Sequence, residues 1–120
     1  MAAGTIVFTE TRLGPVKRIK AAWTSGSGGE SAVGTTTYAY NGKCELLTTV
    51  PTDTPTDNYD VTAADADSVD VLAGAGANRD TTNTEQVLGT SLGAVAGSAL
   101  TFTIANAGNS KNGVVYLDVR

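Results

Sequence analysis

The sequence predicts an all-β domain, an antiparallel β-sandwich or a Greek-key or jelly-roll-like barrel, with an extended N-terminal arm. Several stretches alternate apolar and polar residues at period two, which gives a strand one buried and one wet face. Turn residues recur about every ten residues, so roughly seven or eight short strands fit the chain. The 14 glycines among 120 residues also favour tight turns over long helices.

The N-terminal segment, residues 1–15, is predicted to be the arm, and residues 16–120 are predicted to form the β domain. Ile6, Val7 and Phe8 are consecutive, so apolar side chains fall on both faces of this strand-like run, and both faces need covering. Two interpretations stay open. The run is either an edge strand of the domain's own sheet or an arm that adds to a neighbour's sheet.

A strand is predicted over Val16–Thr24, with Ile19, Ala21 and Trp23 on one face. Trp23 is the only tryptophan and is expected to anchor the core, because a large aromatic side chain contributes most when it is buried. The alternative is that Trp23 is the hot spot of an interface, a position where tryptophan is enriched.

Charge sets limits on the partner. The net charge of −4 argues against a nucleic-acid binder, which needs a basic face to displace counterions from phosphates. The basic cluster formed by Arg12, Lys17, Arg18 and Lys20 is then either a solvated strand face or a contact for an acidic partner surface.

Two hairpins are predicted in the middle of the chain. Asn41-Gly42 separates strand-like runs over 35–40 and 43–50, and this dipeptide favours a two-residue turn because both positions need positive φ. The stretch 56–74 is predicted to be the central hairpin of the domain. In it, a strand through Tyr59, Val61 and Ala63 turns at 65–68 into a second strand over 69–71, since aspartate and serine stabilise chain reversals.

The C-terminal third is predicted to hold two more strands, over 99–105 and 114–120, each with three apolar residues on one face. An irregular loop is expected before them over 74–85, with Arg79 and Asp80 pairing locally or across an interface. Thr82 and Glu85 have the spacing of a capping box, which predicts a short helical turn over 86–88.

The chain offers little chemistry for catalysis or metal binding. It contains no histidine and one cysteine, Cys44, so it has no internal disulfide, and Cys44 is expected to be a small buried hydrophobe. Asp65, Asp67 and Asp70 are weak candidate ligands for a divalent cation, because carboxylates are the ligands that calcium prefers. The alternative is that they only build the turn. We predict no catalytic residue, no cofactor and no enzymatic activity.

The sequence has no recognisable targeting segment. The N-terminus lacks a basic region followed by an apolar core, and no apolar run reaches the roughly 20 residues that cross a bilayer. We therefore expect a soluble protein that is made in a cytoplasm and has no membrane partner.

Two segments carry a family resemblance. The run Pro55-Thr-Asp-Asn-Tyr-Asp-Val-Thr with its continuation over 69–87, and the stretch 16–34 with Trp23-Thr-Ser-Gly, resemble short virion structural proteins of tailed bacteriophages over residues 16–120. Within that group the chain is most similar to capsid decoration, or cement, proteins, which are small, β-rich and often trimeric. The resemblance implies a homo-oligomer, with a trimer favoured, on the capsid surface of the virion with the major capsid protein as partner. It also implies that the protein is made in the bacterial host cytoplasm. It transfers no functional residue.

Two other functions stay open. The chain is alternatively a tail, tail-fibre or baseplate module or a host-surface adhesin, in which Tyr38 and Tyr40 would form a glycan-facing patch. An enzyme or small-ligand protein would instead show a deep pocket with converging polar groups. The residues predicted to lie in a protein interface are basic or apolar and come from three segments: Ile6, Phe8, Arg12, Arg18 and Arg79.

Overall fold

Nine β-strands build the protein in a computed structural model that describes residues 4–52, 55 and 58–120. The only helical segment among these residues is one 3-10 turn, Gly89–Ser91, so the predicted all-β class is confirmed. The strands, in chain order, are β1 (Thr5–Leu13), β2 (Val16–Thr24), β3 (Ala32–Thr35), β4 (Tyr40–Pro51), β5 (Asp60–Ala64), β6 (Glu85–Leu88), β7 (Ala94–Ser98), β8 (Thr101–Ala105) and β9 (Asn112–Val119).

The strands form two antiparallel sheets that pack against each other as a sandwich. The larger sheet has the order β1-β2-β9-β4-β6, with β7 also paired to β4, and the smaller sheet has the order β3-β8-β5. The core lies between them, because the inner faces of both sheets supply its apolar side chains. Phe8 packs on Phe102 with ring centroids 5.7 Å apart, and Trp23 packs on Tyr59 at 5.3 Å.

The predicted core residues of three strands are confirmed. On β2, Trp23 is only 1% exposed, so it is a core anchor, as the period-two pattern predicts. All residues predicted to face inward on these strands are buried: Ile19 and Ala21 on β2, Leu100, Phe102 and Ile104 on and before β8, and Val115, Leu117 and Val119 on β9.

The extended N-terminal arm is not confirmed. β1 pairs with β2 along its full length, from Thr5 opposite Thr24 to Leu13 opposite Val16, so this segment is an edge strand of the domain's own sheet. Ile6 and Phe8 turn inward and pack against the core, which covers one of the two apolar faces of the strand. Residues 1–3 of the predicted arm lie outside the described residues.

The predicted hairpin at Asn41-Gly42 is wrong, because both residues lie inside β4. There β4 changes partner: Tyr40–Lys43 pairs with β7, and from Cys44 onward the strand pairs with β9. Gly42 has φ +129°, and a Cβ there would lie 2.6 Å from the carbonyl carbon of Arg120. The glycine thus supplies a positive φ and a close approach between strands instead of a chain reversal.

The predicted central hairpin is confirmed in its first half only. Tyr59, Val61 and Ala63 are buried, and the amide of Ser68 donates to the carbonyl oxygen of Asp65 across the predicted turn, at 3.0 Å. The second strand shrinks to one bridge between Ala64 and Asp70. β5 is moreover an edge strand of the smaller sheet, so this hairpin is not the centre of the fold. Residues 56 and 57 lie outside the described part.

The predicted helical turn over 86–88 is also wrong. Glu85–Leu88 is β6 and pairs with Leu46–Thr49 of β4, because Val87 and Leu88 suit an extended strand beside β4. Asp80 builds a turn before this strand, because its carboxylate accepts from the amides of Thr82 and Asn83 at 2.7 and 2.9 Å. The expected irregular loop before β6 is present as a series of turns over 71–78.

Candidate interaction surface

The larger sheet has one face in the core and one face turned away from the smaller sheet, which we call the open face. Its members follow from strand alternation, because every second residue points away from the buried set of its strand. Among the described residues, no other sheet lies over this face. The open face consists of Thr5, Val7, Thr9 and Thr11 of β1; Val16, Arg18, Lys20, Ala22 and Thr24 of β2; Leu46, Thr48 and Val50 of β4; Gln86 and Leu88 of β6; and Asn112, Val114, Tyr116 and Asp118 of β9.

An apolar row crosses the open face. The strand register places Val7 opposite Ala22, Ala22 opposite Val114, and Val114 opposite Val50. Val7 is 69% exposed. The solvent-facing side of an antiparallel sheet is ordinarily polar, so this row makes the open face a candidate interaction surface.

The next two rows add threonine, an aromatic ring and more apolar residues. Tyr116 lies in the middle row between Lys20 and Thr48, and Leu46 lies in the third row between Asp118 and Leu88. Leu88 is 66% exposed and closes this row at the far edge of the sheet. The open face is thus apolar at both edges of the sheet, at Val7 on β1 and at Leu88 on β6.

The charges of the open face are few and grouped. The guanidinium of Arg18 lies 4.1 Å from the ring centre of Tyr116, and its Nε lies 3.4 Å from Oδ1 of Asp118. Burial raises the pKa of Asp118, and the nearby Arg18 opposes that rise. With Lys20, the described residues of this face carry two positive groups against one negative group, while the whole chain carries −4. A partner surface with carboxylates around an apolar patch would match it.

Two shallow grooves open on this face. One, of about 300 Å³, lies between Thr11, Val16, Arg18 and Asp118. The other, of about 340 Å³, lies at the opposite end of the strands and is lined by residues of β1, β2 and β9 around the apolar row. Both give the face relief into which side chains of a macromolecular partner could fit.

The size of the open face decides what kind of contact it can make. Five strands at about 4.8 Å spacing and four rows at about 6.8 Å spacing cover roughly 650 Å². A stable interface buries about 800 Å² on each partner. One copy of the face therefore supports a weak contact, and strong attachment requires several copies acting together.

The five predicted interface residues do not form one site. Ile6 and Phe8 pack inward, and Arg18 alone lies on the open face. Arg12 stacks over the ring of Tyr38 at 3.9 Å. Arg79 lies in the turns before β6, where its Nη1 is 3.6 Å from Oε1 of Glu85. Its local partner is thus Glu85, while Asp80 accepts from backbone amides.

The carboxylate of Glu10, on β1, holds the loop between β3 and β4 in place. Glu10 accepts hydrogen bonds from the hydroxyl of Tyr40 at 2.6 Å and from the amides of Thr37 and Tyr38 at 2.9 and 3.1 Å. Burial and the Glu10 carboxylate both raise the pKa of Tyr40. Tyr40 is 2% exposed and Tyr38 is 41% exposed, so the structure separates the two tyrosines that the adhesin alternative places in one patch.

Two of the three candidate metal ligands, Asp65 and Asp70, accept hydrogen bonds from backbone amides. Oδ1 of Asp65 accepts from the amides of Asp67 and Val69 at 2.9 and 3.0 Å. Asp70 accepts from three amides, those of Ala63, Leu72 and Gly74, each at 3.1 Å. The described residues contain no group of three or more acidic, cysteine or histidine side chains placed to share a metal ion. This geometry fits the turn-building role.

Cys44 is fully buried at the point where β4 changes partner. Burial raises the pKa of its thiol to about 11. Since the thiolate is the reactive form of cysteine, Cys44 is expected to be inert at neutral pH, in agreement with its prediction as a buried hydrophobe.

Most residues of the open face were missed by the sequence-based interface prediction. The signal that marks them is the presence of apolar residues on both faces of one strand, as in Val114-Val115, Leu46-Leu47 and Ile6-Val7-Phe8. One member of each pair is needed for the core, and the other is left on the outer face. The prediction used this signal at β1 only.

Comparisons with known proteins identify no relative of this chain. The chain matches no family model, no curated protein and no solved structure. Within the described residues, no helix has both the length and the apolar character that a membrane crossing needs.

Proposed function

We propose that this protein is a capsid decoration protein of a tailed bacteriophage, which binds the outer surface of the head through the open face and stabilises the assembled shell. The observation that carries the proposal is the apolar row on an uncovered sheet face. The resemblance of residues 16–120 to virion structural proteins supplies the identity of the partner, the major capsid protein. The proposed location is the capsid surface.

The chemistry of the open face supports attachment to a protein surface. Its threonines and valines hold no long flexible chains, so little side-chain entropy is lost when a partner covers them. Its charges are confined to the Arg18–Asp118 pair and Lys20, so salt should change the affinity only modestly.

Many copies on one shell would compensate for the small area of one face. A surface of roughly 650 Å² gives a weak single contact, but repeated copies that also hold one another act with avidity. The homotrimer that the resemblance implies is one such arrangement and forms part of the proposal.

The test is add-back of purified protein to phage heads that lack it. The wild-type chain should bind and raise the temperature at which the heads release their DNA. Leu88→Glu and Val114→Glu should weaken binding at least about tenfold, because each places a carboxylate on an apolar partner patch at a cost above about 1.4 kcal/mol.

A matched control uses Val33→Glu. Val33 is a strand valine that is 51% exposed, but it lies on the outer side of the smaller sheet. The Val33→Glu variant should therefore bind phage heads like the wild type. Equal binding by all variants that keep the wild-type melting temperature would refute the open face as the attachment surface. Heads that neither bind the wild type nor gain stability from it would refute the decoration function.

Antibody labelling of whole virions distinguishes the head from the tail. Gold particles on the head are expected. Labelling confined to the tail or fibres would replace decoration by the tail, baseplate or adhesin alternative.

A further inference from the structure

The ammonium of Lys43, at the start of β4, lies among four backbone carbonyl oxygens. Its Nζ donates to the carbonyl of Leu92 at 2.9 Å and to that of Cys44 at 3.1 Å. It also donates to the carbonyl of Gly89 and lies 3.4 Å from the oxygen of Gly93. Since a lysine ammonium has three N–H donors and no acceptor, this cluster uses every donor that the side chain has.

Three of the four carbonyls belong to the connection between β6 and β7, so the contact joins that connection to β4. Within the described residues, no carboxylate lies at salt-bridge distance from Lys43, and carbonyl dipoles alone surround its charge. Hydrogen bonds from an ionised donor are roughly twice as strong as neutral ones. The ammonium of Lys17, by comparison, donates to one carbonyl, that of Asn41, at 3.3 Å.

The β6 end of this connection has few other anchors. No residue of β6 or of the 3-10 turn that follows it is buried, and β6 pairs over four residues with β4. The turn nevertheless lies close against β4, since a Cβ added to Gly89 would be 2.9 Å from the carbonyl oxygen of Cys44. The next anchors come after the turn, where Leu92 is buried and the amide of Cys44 donates to the carbonyl of Gly93.

We infer that Lys43 is a positioning residue of the open face, because its ammonium holds the β6–β7 connection against β4 and thereby fixes the place of Leu88. Leu88 directly precedes the 3-10 turn and closes the third row of the open face. For capsid binding this inference rests on the proposed function. For the stability of β6 it depends on no partner.

Competitive acetylation of the wild-type chain tests the contact without a mutation. The amine of Lys43 must leave its carbonyls before it can attack acetic anhydride. At a low dose of reagent it should therefore react on the order of tenfold more slowly than the amine of Lys17. Peptide mapping by mass spectrometry measures both rates in one sample. Equal rates would overturn the inference.

Hydrogen exchange of Lys43→Met tests the effect on the segment. Methionine keeps most of the side-chain length but none of the donors, so the amides of residues 85–92 should exchange at least about tenfold faster than in the wild type. The amides of β2 and β9 should keep their rates, and Lys17→Met, the matched control, should leave 85–92 unchanged. Unchanged exchange over 85–92 in Lys43→Met, or an equal acceleration in all strands, would overturn the inference.

Returning an ammonium by chemistry separates the charge from the bulk of the side chain. Bromoethylamine alkylates the thiol of Lys43→Cys with loss of bromide and leaves a side chain that ends in an ammonium, while the native Cys44 is buried and stays silent. This product should regain wild-type exchange over 85–92. The iodoacetamide product, which ends in a neutral amide, should not. Equal exchange in the two products would overturn the role of the ammonium.

Add-back to phage heads connects the contact to attachment. Lys43→Met should bind at least about threefold more weakly than the wild type, because a loosened segment must be ordered again when it binds. Lys17→Met should bind like the wild type. Wild-type binding by Lys43→Met would overturn the positioning role. Heads that do not bind the wild type would refute the decoration function instead, and the acetylation and exchange rates would still decide the contact.

Discussion

Trp23 shows how much of the core depends on one side chain. It is 1% exposed and packs on Tyr59 across the two sheets. Trp23→Ala should lower the free energy of unfolding by about 3–5 kcal/mol, because it removes buried area and leaves a cavity. Urea unfolding followed by circular dichroism measures this loss, since the variant has no tryptophan fluorescence.

The control for that prediction is Trp23→Phe, which keeps an aromatic ring between the sheets and should lose less. An unchanged urea midpoint in Trp23→Ala would show that the side chain does not support the core.

Glu10 connects pH to the order of the loop between β3 and β4. Burial raises the pKa of Glu10, but hydrogen bonds from Tyr40, Thr37 and Tyr38 outweigh burial, and the net pKa is lowered. The stabilisation is therefore complete above the unfolded value near 4.5 and is lost as pH falls through the lower folded value.

Glu10→Gln removes this charge and its pH dependence. At neutral pH the free energy of unfolding of the variant should fall by less than about 2 kcal/mol, because solvent screens charged hydrogen bonds of a partly exposed group. In urea titrations between pH 7 and pH 3, the difference in unfolding free energy between the variant and the wild type should shrink below about pH 4.5. Glu45→Gln, at an exposed position, is the matched control. A gap that is constant down to pH 3 would contradict the prediction.

At the scale of elements, Gly42 is the position that lets β4 serve two sets of partners. It has φ +129° and lies against the carbonyl of Arg120. Gly42→Ala should cost more than about 2 kcal/mol, since it adds backbone strain and a steric clash. Gly74→Ala is the control: Gly74 has φ +79° with no atom within 4 Å of an added Cβ, so only the strain of about 1 kcal/mol applies.

Thermal melts of the two glycine variants measure the difference. Equal losses would mean that the approach of Arg120 to β4 does not constrain the strand.

Strand positions could be predicted wherever alternation was regular. β2, β8 and β9 each place every second residue in the core, so their inner faces followed from period two. The failures occurred where the same residue types serve two geometries. Asn41-Gly42 provides positive φ for a turn or for a kink within a strand, and Thr82 to Glu85 has the spacing of a helix cap although Val87 and Leu88 continue as a strand.

Strand order was beyond the sequence. Alternation tells which face of a strand is buried, but it does not tell which strand lies beside it. β9 lies between β2 and β4, and β6 lies at the far edge beside β4. The open face depends on this order, because Val7, Ala22, Val114 and Val50 form a row only once their four strands are neighbours.

For the whole molecule, the open face belongs to the larger sheet, while the smaller sheet only closes the core. The outer side of the smaller sheet carries Val33 and hydrogen-bonded threonines such as Thr35 and Thr101, 2.9 Å apart. The two sheets thus differ in chemistry, and the proposed contacts all fall on one side of the sandwich.

The position of β9 also governs the order in which the molecule can assemble. β9 spans Asn112–Val119 and inserts between β2 and β4, each more than half a chain away in sequence. Closing such distant pairings costs loop entropy before any contact repays it. We therefore expect the hairpin of β1 and β2 to form early and to lack a stable neighbour at first. The two halves of the larger sheet can join only when β9, some 90 residues further along the chain, pairs with β2 and β4.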